Sequence, residues 1–171
     1  MRLPQLALSA LLVFAATGLA ACDTGGGGGI DESDVDGVYT ITGLTFDPQP
    51  SALSNVDVKA RIGPASSLTL ASNTESYVLN FRFLNDTGQY LLSGRYSTSS
   101  RKRVVIDFGD RATDRRRLLL PREITFTFDE TTGTLTADQT LTNVDLATYD
   151  PDQYGGLNAV DGRLLFTLRR Q

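Results

Sequence analysis

The chain has 171 residues, of which 40 % are apolar, with 16 basic and 20 acidic residues and a formal net charge of −4. This length fits one ordinary domain, and the apolar fraction is large enough for a hydrophobic core, which argues against wholesale disorder. The acidic balance argues against nucleic-acid binding, because such domains are usually basic. The chain has no His and no Trp, and its single Cys cannot form an internal disulfide. We therefore expect a domain that is held by its core alone.

The N-terminal residues 1–21 predict a cleaved signal peptide. Arg2 precedes an apolar run at residues 6–16, which is shorter than the roughly 20 residues of a membrane-spanning helix and ends in small residues. The tetrapeptide Leu19-Ala20-Ala21-Cys22 follows, and it resembles the bacterial lipobox, an aliphatic residue and two small residues before a cysteine. The resemblance implies that Cys22 carries acyl chains, and two or more chains anchor a protein firmly to a membrane.

Residues 22–34 predict the lipidated cysteine and a glycine-rich tether. Five consecutive glycines at residues 25–29 lack the Lys-Ser/Thr of a phosphate-binding loop, so we expect a linker. The acidic run after Ile30 contains Asp-x-Asp-Gly but lacks the downstream Glu of a calcium loop, so we expect it to be solvated and to bind no metal. The expected location is the cell envelope, on the outer membrane or on the periplasmic face of the inner membrane.

Residues 35–171 predict an all-β domain of about eight to nine antiparallel strands. Apolar and polar residues alternate with a period of two, which gives each strand one dry face and one wet face. The apolar residues that open these runs are Tyr39, Val56, Tyr77, Val104, Ile124 and Leu164. Gly43, between Ile41 and Leu44, predicts a bulge that shifts the alternation within the first strand.

Turn residues between the runs predict how the strands are connected. Residues 85–88 (Asn-Asp-Thr-Gly) and residues 129–133 predict two hairpins. Short connections favour an up-and-down barrel, with a two-sheet β-sandwich as the alternative. Two longer segments, residues 47–55 and 143–161, are expected to lie either over a barrel mouth as a lid or along an edge as an Ω-loop.

Three short motifs resemble those of bacterial lipocalin-like lipoproteins. Gly37-Val38-Tyr39 opens the first strand, and Gly88-x-Tyr90 and Gly94-x-Tyr96 occur later in the chain. In lipocalins a Gly-x-Trp opens the first strand, and its ring packs near a basic residue from the far end of the barrel. The resemblance implies a lipocalin-like (calycin-type) barrel in which Tyr39 occupies the Trp position, with Arg163 or Arg169 as its partner.

The residue inventory favours a non-enzymatic protein without a cofactor or a metal. Without His, and without a free thiol once Cys22 is acylated, Ser-His and Cys-His catalytic arrangements are excluded. Most of the aspartates fall at turn positions, where carboxylates usually bond to the local backbone.

The first functional hypothesis is a membrane-anchored binding module for a small apolar or amphipathic ligand. An eight-stranded barrel holds one small ligand or is filled by its own side chains. The candidate ligand-binding residues on the inward faces are Leu79, Phe81, Ile106 and Phe126.

The alternative hypothesis is a structural or assembly lipoprotein that docks an envelope protein or an anionic glycan through its surface. Two basic clusters flank the strand that starts at Val104, and we expect them at opposite rims of the domain. The candidate residues for this anionic-partner patch are Arg101, Lys102, Arg103, Arg115, Arg116 and Arg117. The simpler interpretation is that neighbouring aspartates neutralise the two basic clusters, which are then ordinary solvated surface loops.

Overall fold

A computed structural model describes residues 29–49, 52–99, 101–109 and 112–171. The predicted signal peptide and the predicted lipid site Cys22 therefore lie outside the described residues. The described chain is all-β, and its strands are β1 (Gly37–Pro48), β2 (Val56–Asp57), β3 (Ser67–Ala71), β4 (Ser76–Phe81), β5 (Tyr90–Ser99), β6 (Arg103–Asp107), β7 (Glu123–Asp129), β8 (Thr134–Val144) and β9 (Val160–Arg170). Three short helices are α1 (Ala112–Arg116), α2 (Leu146–Tyr149) and α3 (Pro151–Tyr154).

Eight of the strands form a closed antiparallel barrel. β1 pairs with β3, each later strand pairs with the next as far as β9, and β9 pairs back with β1. The extra strand β2 pairs with Thr45 and Phe46 near the end of β1. The lipocalin-like up-and-down barrel is therefore confirmed, and the sandwich alternative is excluded. Closure gives every one of the eight barrel strands a partner on both sides.

The bulge predicted in the first strand is confirmed. The register of the β1–β9 pairing shifts between Ile41 and Gly43. As a result Tyr39 and Ile41 before the shift, and Leu44 and Phe46 after it, are all buried on the inner face. Without the extra residue, the second half of the strand would direct its apolar side chains to solvent, because side chains alternate between the two faces.

The interior of the barrel is filled by large side chains. The largest fully buried ones are Tyr39, Tyr77, Phe46, Phe81, Phe126, Phe166, Ile41, Leu44, Leu68, Leu79, Leu92 and Ile106. Phe126 and Phe166 meet edge to face across the barrel, with 5.4 Å between ring centroids. The described strands and core lie within residues 30–171 and form one compact unit around a single core.

The two ends of the barrel differ in their connections. The tether end carries the short turns at residues 72–75, 100–102 and 130–133, together with the segment that enters β1. The loop end carries the long connections at residues 49–66, 82–89, 108–122 and 145–159. The pairs Pro48–Gly162 and Phe81–Tyr90 mark the loop end, and the pair Tyr39–Arg170 marks the tether end.

A capped turn closes the tether end. Residues Glu32–Val35 form a 3-10 turn, and the carboxylate of Asp31 accepts hydrogen bonds from the backbone at its start. Val35 is fully buried, and its carbonyl accepts a 2.7 Å hydrogen bond from the Tyr39 hydroxyl. Ile30 is also buried against the core. Ile30 and most of this 3-10 turn precede residue 35, the predicted start of the domain, and they pack on the tether end of the barrel.

The basic partner of Tyr39 is Arg170, and the expectation of Arg163 or Arg169 was wrong. The guanidinium of Arg170 lies 5.5 Å from the Tyr39 ring centroid and donates a 3.0 Å hydrogen bond to its hydroxyl. The reason is the strand period: Arg163 and Arg169 belong to the exposed face of β9, whereas Arg170 follows the inward face and lies directly opposite Tyr39.

The run that starts at Val56 was also predicted incorrectly, as a single strand. β2 ends at Asp57, whose carboxylate accepts a 3.0 Å hydrogen bond from the backbone N–H of Ala60 and so turns the chain into the 3-10 turn Lys59–Arg61. The sequence analysis did not predict strand β3, because its alternation is short and includes only two inward apolar residues, both leucines. In the described part of the chain, no helix has the length and apolar character needed to cross a membrane.

Gly162 offers a test of how tightly β1 and β9 pack. A Cβ at this position would lie 2.5 Å from the Asp47 carbonyl oxygen and would collide with the Phe46 ring, whereas a Cβ at Gly43 would meet Thr167 at 3.6 Å. We expect Gly162→Ala to lower the free energy of unfolding by about 1–3 kcal/mol. Gly43→Ala is the control and should change it by less than about 1 kcal/mol. Urea denaturation measures both; equal effects would contradict the close packing.

Candidate functional site

The four predicted ligand-binding residues lie in the barrel interior. Leu79, Phe81, Ile106 and Phe126 are each 0 % exposed. Phe81 lies at the loop end of β4 and lines a surface cleft described below. The other three are surrounded by the packed core, so a role for them in ligand binding stays a prediction.

The two basic clusters lie at opposite ends of the barrel. Arg101 and Lys102 lie in the turn before β6 at the tether end, Arg103 is the first residue of β6, and all three are exposed. Lys102 Nζ lies 3.1 Å from a carboxylate oxygen of Glu130 in the neighbouring turn. These three residues, which we call the basic turn, are separated from the α1 arginines by the length of β6 and the following loop.

The three arginines near α1 do not form one patch. Arg115 Nη1 donates a 2.9 Å hydrogen bond to the Leu120 carbonyl and so closes its own loop. Arg116 is exposed and lies near Asp145. The Thr148 hydroxyl, with a smaller contribution from the Arg116 charge, holds the pKa of the Asp145 carboxyl below its usual range.

Arg117 lies over two aromatic rings at the loop end. Its guanidinium carbon lies 4.4 Å from the Phe83 ring centroid and 4.6 Å from that of Tyr90. Its Nη2 atom lies 3.4 Å from Asp86 Oδ2, and Asp86 also accepts hydrogen bonds from the Tyr90 hydroxyl and the Gly88 N–H. These contacts fasten the loop after α1 to the β4–β5 hairpin.

Arg61 makes a similar connection on the other side of the loop end. Its Nη1 atom lies 3.2 Å from the Tyr149 carbonyl oxygen and 3.3 Å from Asp150 Oδ2. Its guanidinium carbon is 4.5 Å from the Tyr149 ring centroid. Arg61 therefore joins the β1–β3 connection to the segment that carries α2 and α3. For this segment, residues 143–161, the sequence analysis predicted either a lid or an Ω-loop, and the contacts of Arg61 place it at the mouth of the barrel.

A two-part cleft, which we call the mouth groove, runs between these connections. Its polar part is about 360 Å³ and is lined by Ala60, Arg61, Phe83, Leu84, Asn85, Asp86, Arg117, Thr148 and Tyr149. Its apolar part is about 410 Å³ and is lined by Gly63, Pro64, Ala65, Ser66, Asn80, Phe81, Arg82, Phe83, Leu84 and Gln89. Phe83 and Leu84 line both parts, so the two parts adjoin at these residues. Leu84 is 57 % exposed, more than any other large apolar side chain of the described residues.

A separate cleft of about 530 Å³ lies beside α1. It is lined by Arg115, Arg116, Leu119, Leu120, Pro121, residues 140–145 and Asn158. The register shift between Leu141 and Val144 in the β8–β9 pairing forms one wall. Its arginines already serve local contacts with Leu120 and Asp145, and its leucines are buried, so it exposes little apolar surface.

The loop end presents two arginines, aromatic rings and one exposed leucine. Across the described residues, no group of three or more His, Cys, Asp or Glu side chains is arranged to hold a metal ion. The sequence analysis did not single out Arg61 or Leu84. Arg61 was assigned to the wet face of a strand that does not form, and the only signal for Leu84 was an apolar residue directly before the turn at residues 85–88.

Comparisons with known proteins add no relative to this description. No family model matches the chain, and no curated protein or solved structure does either. The class of protein is therefore defined by its own structure: a lipocalin-like up-and-down β-barrel with a filled interior and an arginine-lined groove at its loop end.

The Asp86 cluster predicts a pH dependence. The hydroxyl of Tyr90, assisted by the Gly88 N–H and Arg117, holds the pKa of the Asp86 carboxyl below its ordinary value of 3.8. The stability from this contact is present above that ordinary value and is lost as the pH falls through the lowered pKa. We expect Tyr90→Phe to raise the Asp86 midpoint toward 3.8 in a carboxyl NMR titration, and Thr87→Ala to leave it unchanged. An unaltered midpoint in Tyr90→Phe would refute this cause.

Proposed function

We propose that the protein is a lipid-anchored, non-enzymatic binding protein of a bacterial cell envelope, which takes a small amphipathic ligand at its loop end. The observation that carries this proposal is the asymmetry of the barrel. The long connections, the mouth groove and its arginines lie at one end, and the N-terminal segment enters at the other. Binding residues commonly lie on loops that a rigid scaffold positions.

The position of the N-terminus supports an orientation on the membrane. Ile30 is buried at the tether end, and the proposed lipid site, Cys22, precedes it by eight positions. Eight residues span at most about 28 Å, so an acylated Cys22 would keep the tether end close to the lipid surface. The 12-residue strand β1, tilted as in other barrels, gives a height of roughly 30 Å. The loop end would then face away from the membrane.

The basic turn fits the same orientation. Arg101 and Arg103 are exposed at the tether end, and within the described residues neither has a carboxylate partner. Anionic head groups attract each basic side chain near the surface with about 1 kcal/mol. An anchored barrel would therefore hold this turn near the lipid surface of the outer membrane or of the periplasmic face of the inner membrane.

The mouth groove suits a ligand better than the interior does. The four residues predicted to line an interior ligand cavity are fully buried, and their own side chains pack in the core. The groove, in contrast, offers open volume on the scale of small-molecule sites, with a polar part and an apolar part side by side. This arrangement favours an amphipathic ligand over a purely apolar one.

One observation favours a second candidate, a structural or assembly lipoprotein that docks an envelope protein or an anionic glycan. A filled barrel needs no ligand to be stable, and the exposed basic turn offers a docking surface. Crosslinking from the basic turn in intact cells should then recover one dominant partner.

The anchor and the orientation are tested with single thiols. Acylation consumes the thiol of Cys22, the only Cys in the chain, so an introduced Cys is the sole labelling site. Thr131 is exposed at the tether end and Thr87 at the loop end. In vesicles with quencher-bearing head groups, we expect a fluorophore on Thr131→Cys to be strongly quenched, and one on Thr87→Cys, roughly 30 Å farther away, to be spared.

The control is Cys22→Ser, which should move the protein from the membrane fraction to the soluble fraction. A Cys22→Ser protein that stays in the membrane fraction would refute lipid anchoring. Equal quenching of the two labels would refute the orientation alone.

Ligand binding is tested with the unacylated mature chain, residues 22–171 carrying Cys22→Ser. We expect saturable binding of one molecule of a fluorescent fatty acid, cis-parinaric acid, followed by the rise of probe emission. The chain has no Trp, so the background from the protein is low. Absence of saturable binding would contradict the small-ligand function and favour the docking alternative.

A further inference from the structure

We infer that the mouth groove binds a single-chain amphiphile with an anionic head group, with the head group between Arg61 and Arg117 and the chain on Leu84 and the apolar part. The inference rests on the proposed function and deepens it, because it names the charge of the ligand and the site. It follows from two guanidiniums that lie over aromatic rings in the polar part, and from an exposed leucine that lines both parts of the groove.

The two guanidiniums are positioned in advance of binding. The Arg61 guanidinium lies over the Tyr149 ring, and the Arg117 guanidinium lies over the Phe83 and Tyr90 rings, so aromatic contacts hold both groups in place. Fixed side chains lose little rotamer freedom when a ligand binds, which improves affinity. A guanidinium also presents its donors in a rigid fork that matches a carboxylate or a phosphate.

The carboxylates beside the arginines leave donors for a ligand. Asp150 is 3.3 Å from one nitrogen of Arg61, and Asp86 is 3.4 Å from one nitrogen of Arg117. Charge-assisted contacts of full strength are shorter, about 2.7–2.9 Å, and are often bidentate. Each carboxylate thus engages its arginine through a single atom, and a guanidinium carries five N–H donors. An anionic head group would share the arginines with Asp86 and Asp150.

The apolar part of the groove explains why the ligand would carry a chain. Leu84 is 57 % exposed, and covering its apolar surface with an alkyl chain would be favourable because that surface leaves water. Its backbone N–H donates a 2.9 Å hydrogen bond to the Arg61 carbonyl, so the leucine and the arginine are held at a fixed spacing. Pro64, Ala65 and Phe81 continue the apolar lining away from the arginines.

One polar neighbour fits a small anion as well. Asn85 lines the same part of the groove as the two arginines, and its side-chain amide can donate a hydrogen bond. A neutral alcohol of the same chain length would use the apolar part but would gain little from the guanidiniums. We therefore expect head-group charge, more than chain contact, to decide affinity.

The test compares three twelve-carbon competitors, laurate, dodecyl phosphate and dodecanol, against cis-parinaric acid on the unacylated mature chain. We expect both anions to displace the probe, and dodecanol to be at least about tenfold weaker, the scale of one charge-assisted contact. The stronger of the two anions identifies the head group as carboxylate or phosphate. Equal displacement by dodecanol and laurate would overturn the inference.

Four variants locate the site. We expect Arg61→Gln to raise the Kd of laurate about tenfold and to reduce the difference in Kd between laurate and dodecanol. Arg61→Lys should give Kd values between those of the wild type and Arg61→Gln. Leu84→Ser should weaken laurate and dodecanol alike, by roughly three- to tenfold. The charge control is Arg163→Gln, on the outer face and paired with Asp138, which should leave every Kd unchanged.

The outcomes separate the site from the function. Leu84 is exposed, so Leu84→Ser should keep the fold even if Arg61→Gln does not, and circular dichroism checks both. Probe binding that is unaffected in Arg61→Gln and Leu84→Ser would overturn the site while leaving the binding function intact. A wild-type chain that binds no probe would overturn both.

Discussion

The first and last strands of the barrel, β1 and β9, pair along their whole length, from Tyr39 opposite Arg170 to Pro48 opposite Gly162. A chain with one Cys has no internal disulfide to join its ends, so this pairing is what closes the sheet. Closure removes the unpaired edges at which β-proteins associate, and it encloses the aromatic core. The two strands approach each other closely at Gly162, because this residue has no side chain to keep the Asp47 backbone and the Phe46 ring away.

The same pairing organises both ends. At the tether end it sets Arg170 against Tyr39, and the N-terminal turn then packs on Tyr39 through the Val35 carbonyl. At the loop end, β1 and β9 lead directly into long connections. The barrel strands on which these connections start and end hold them close together. Arg61 and Arg117 fasten those connections to one another through aromatic rings. The structural contacts of the mouth and the proposed ligand contacts therefore use the same two arginines.

Much of this fold could be predicted from the sequence, because alternation with a period of two reports directly on a strand with one buried face. The bulge at Gly43 and the hairpin at residues 85–88 followed from local rules. Arg170 could have been identified by continuing the same alternation from Leu168. The turn at Asp57 is local, since its carboxylate accepts from the Ala60 N–H, but the alternation of the run from Val56 obscured it. Other features depend on contacts between distant segments: Arg61 meets Tyr149, 88 positions away in the sequence. No local pattern carries that information, so the mouth groove emerged only from the structure.

The filled interior also bears on where binding can reside in a barrel of this size. A cavity large enough for a ligand would require large-to-small changes at positions such as Phe126, each of which costs about 3–5 kcal/mol, a large share of the net stability of a domain. At the mouth, an exposed residue such as Leu84 can change at a cost of roughly 0.5 kcal/mol or less. In the proposed groove, affinity could therefore change through Leu84 with little effect on stability, whereas Arg61 and Arg117 serve both. The barrel is the rigid frame for the connections that carry these two arginines.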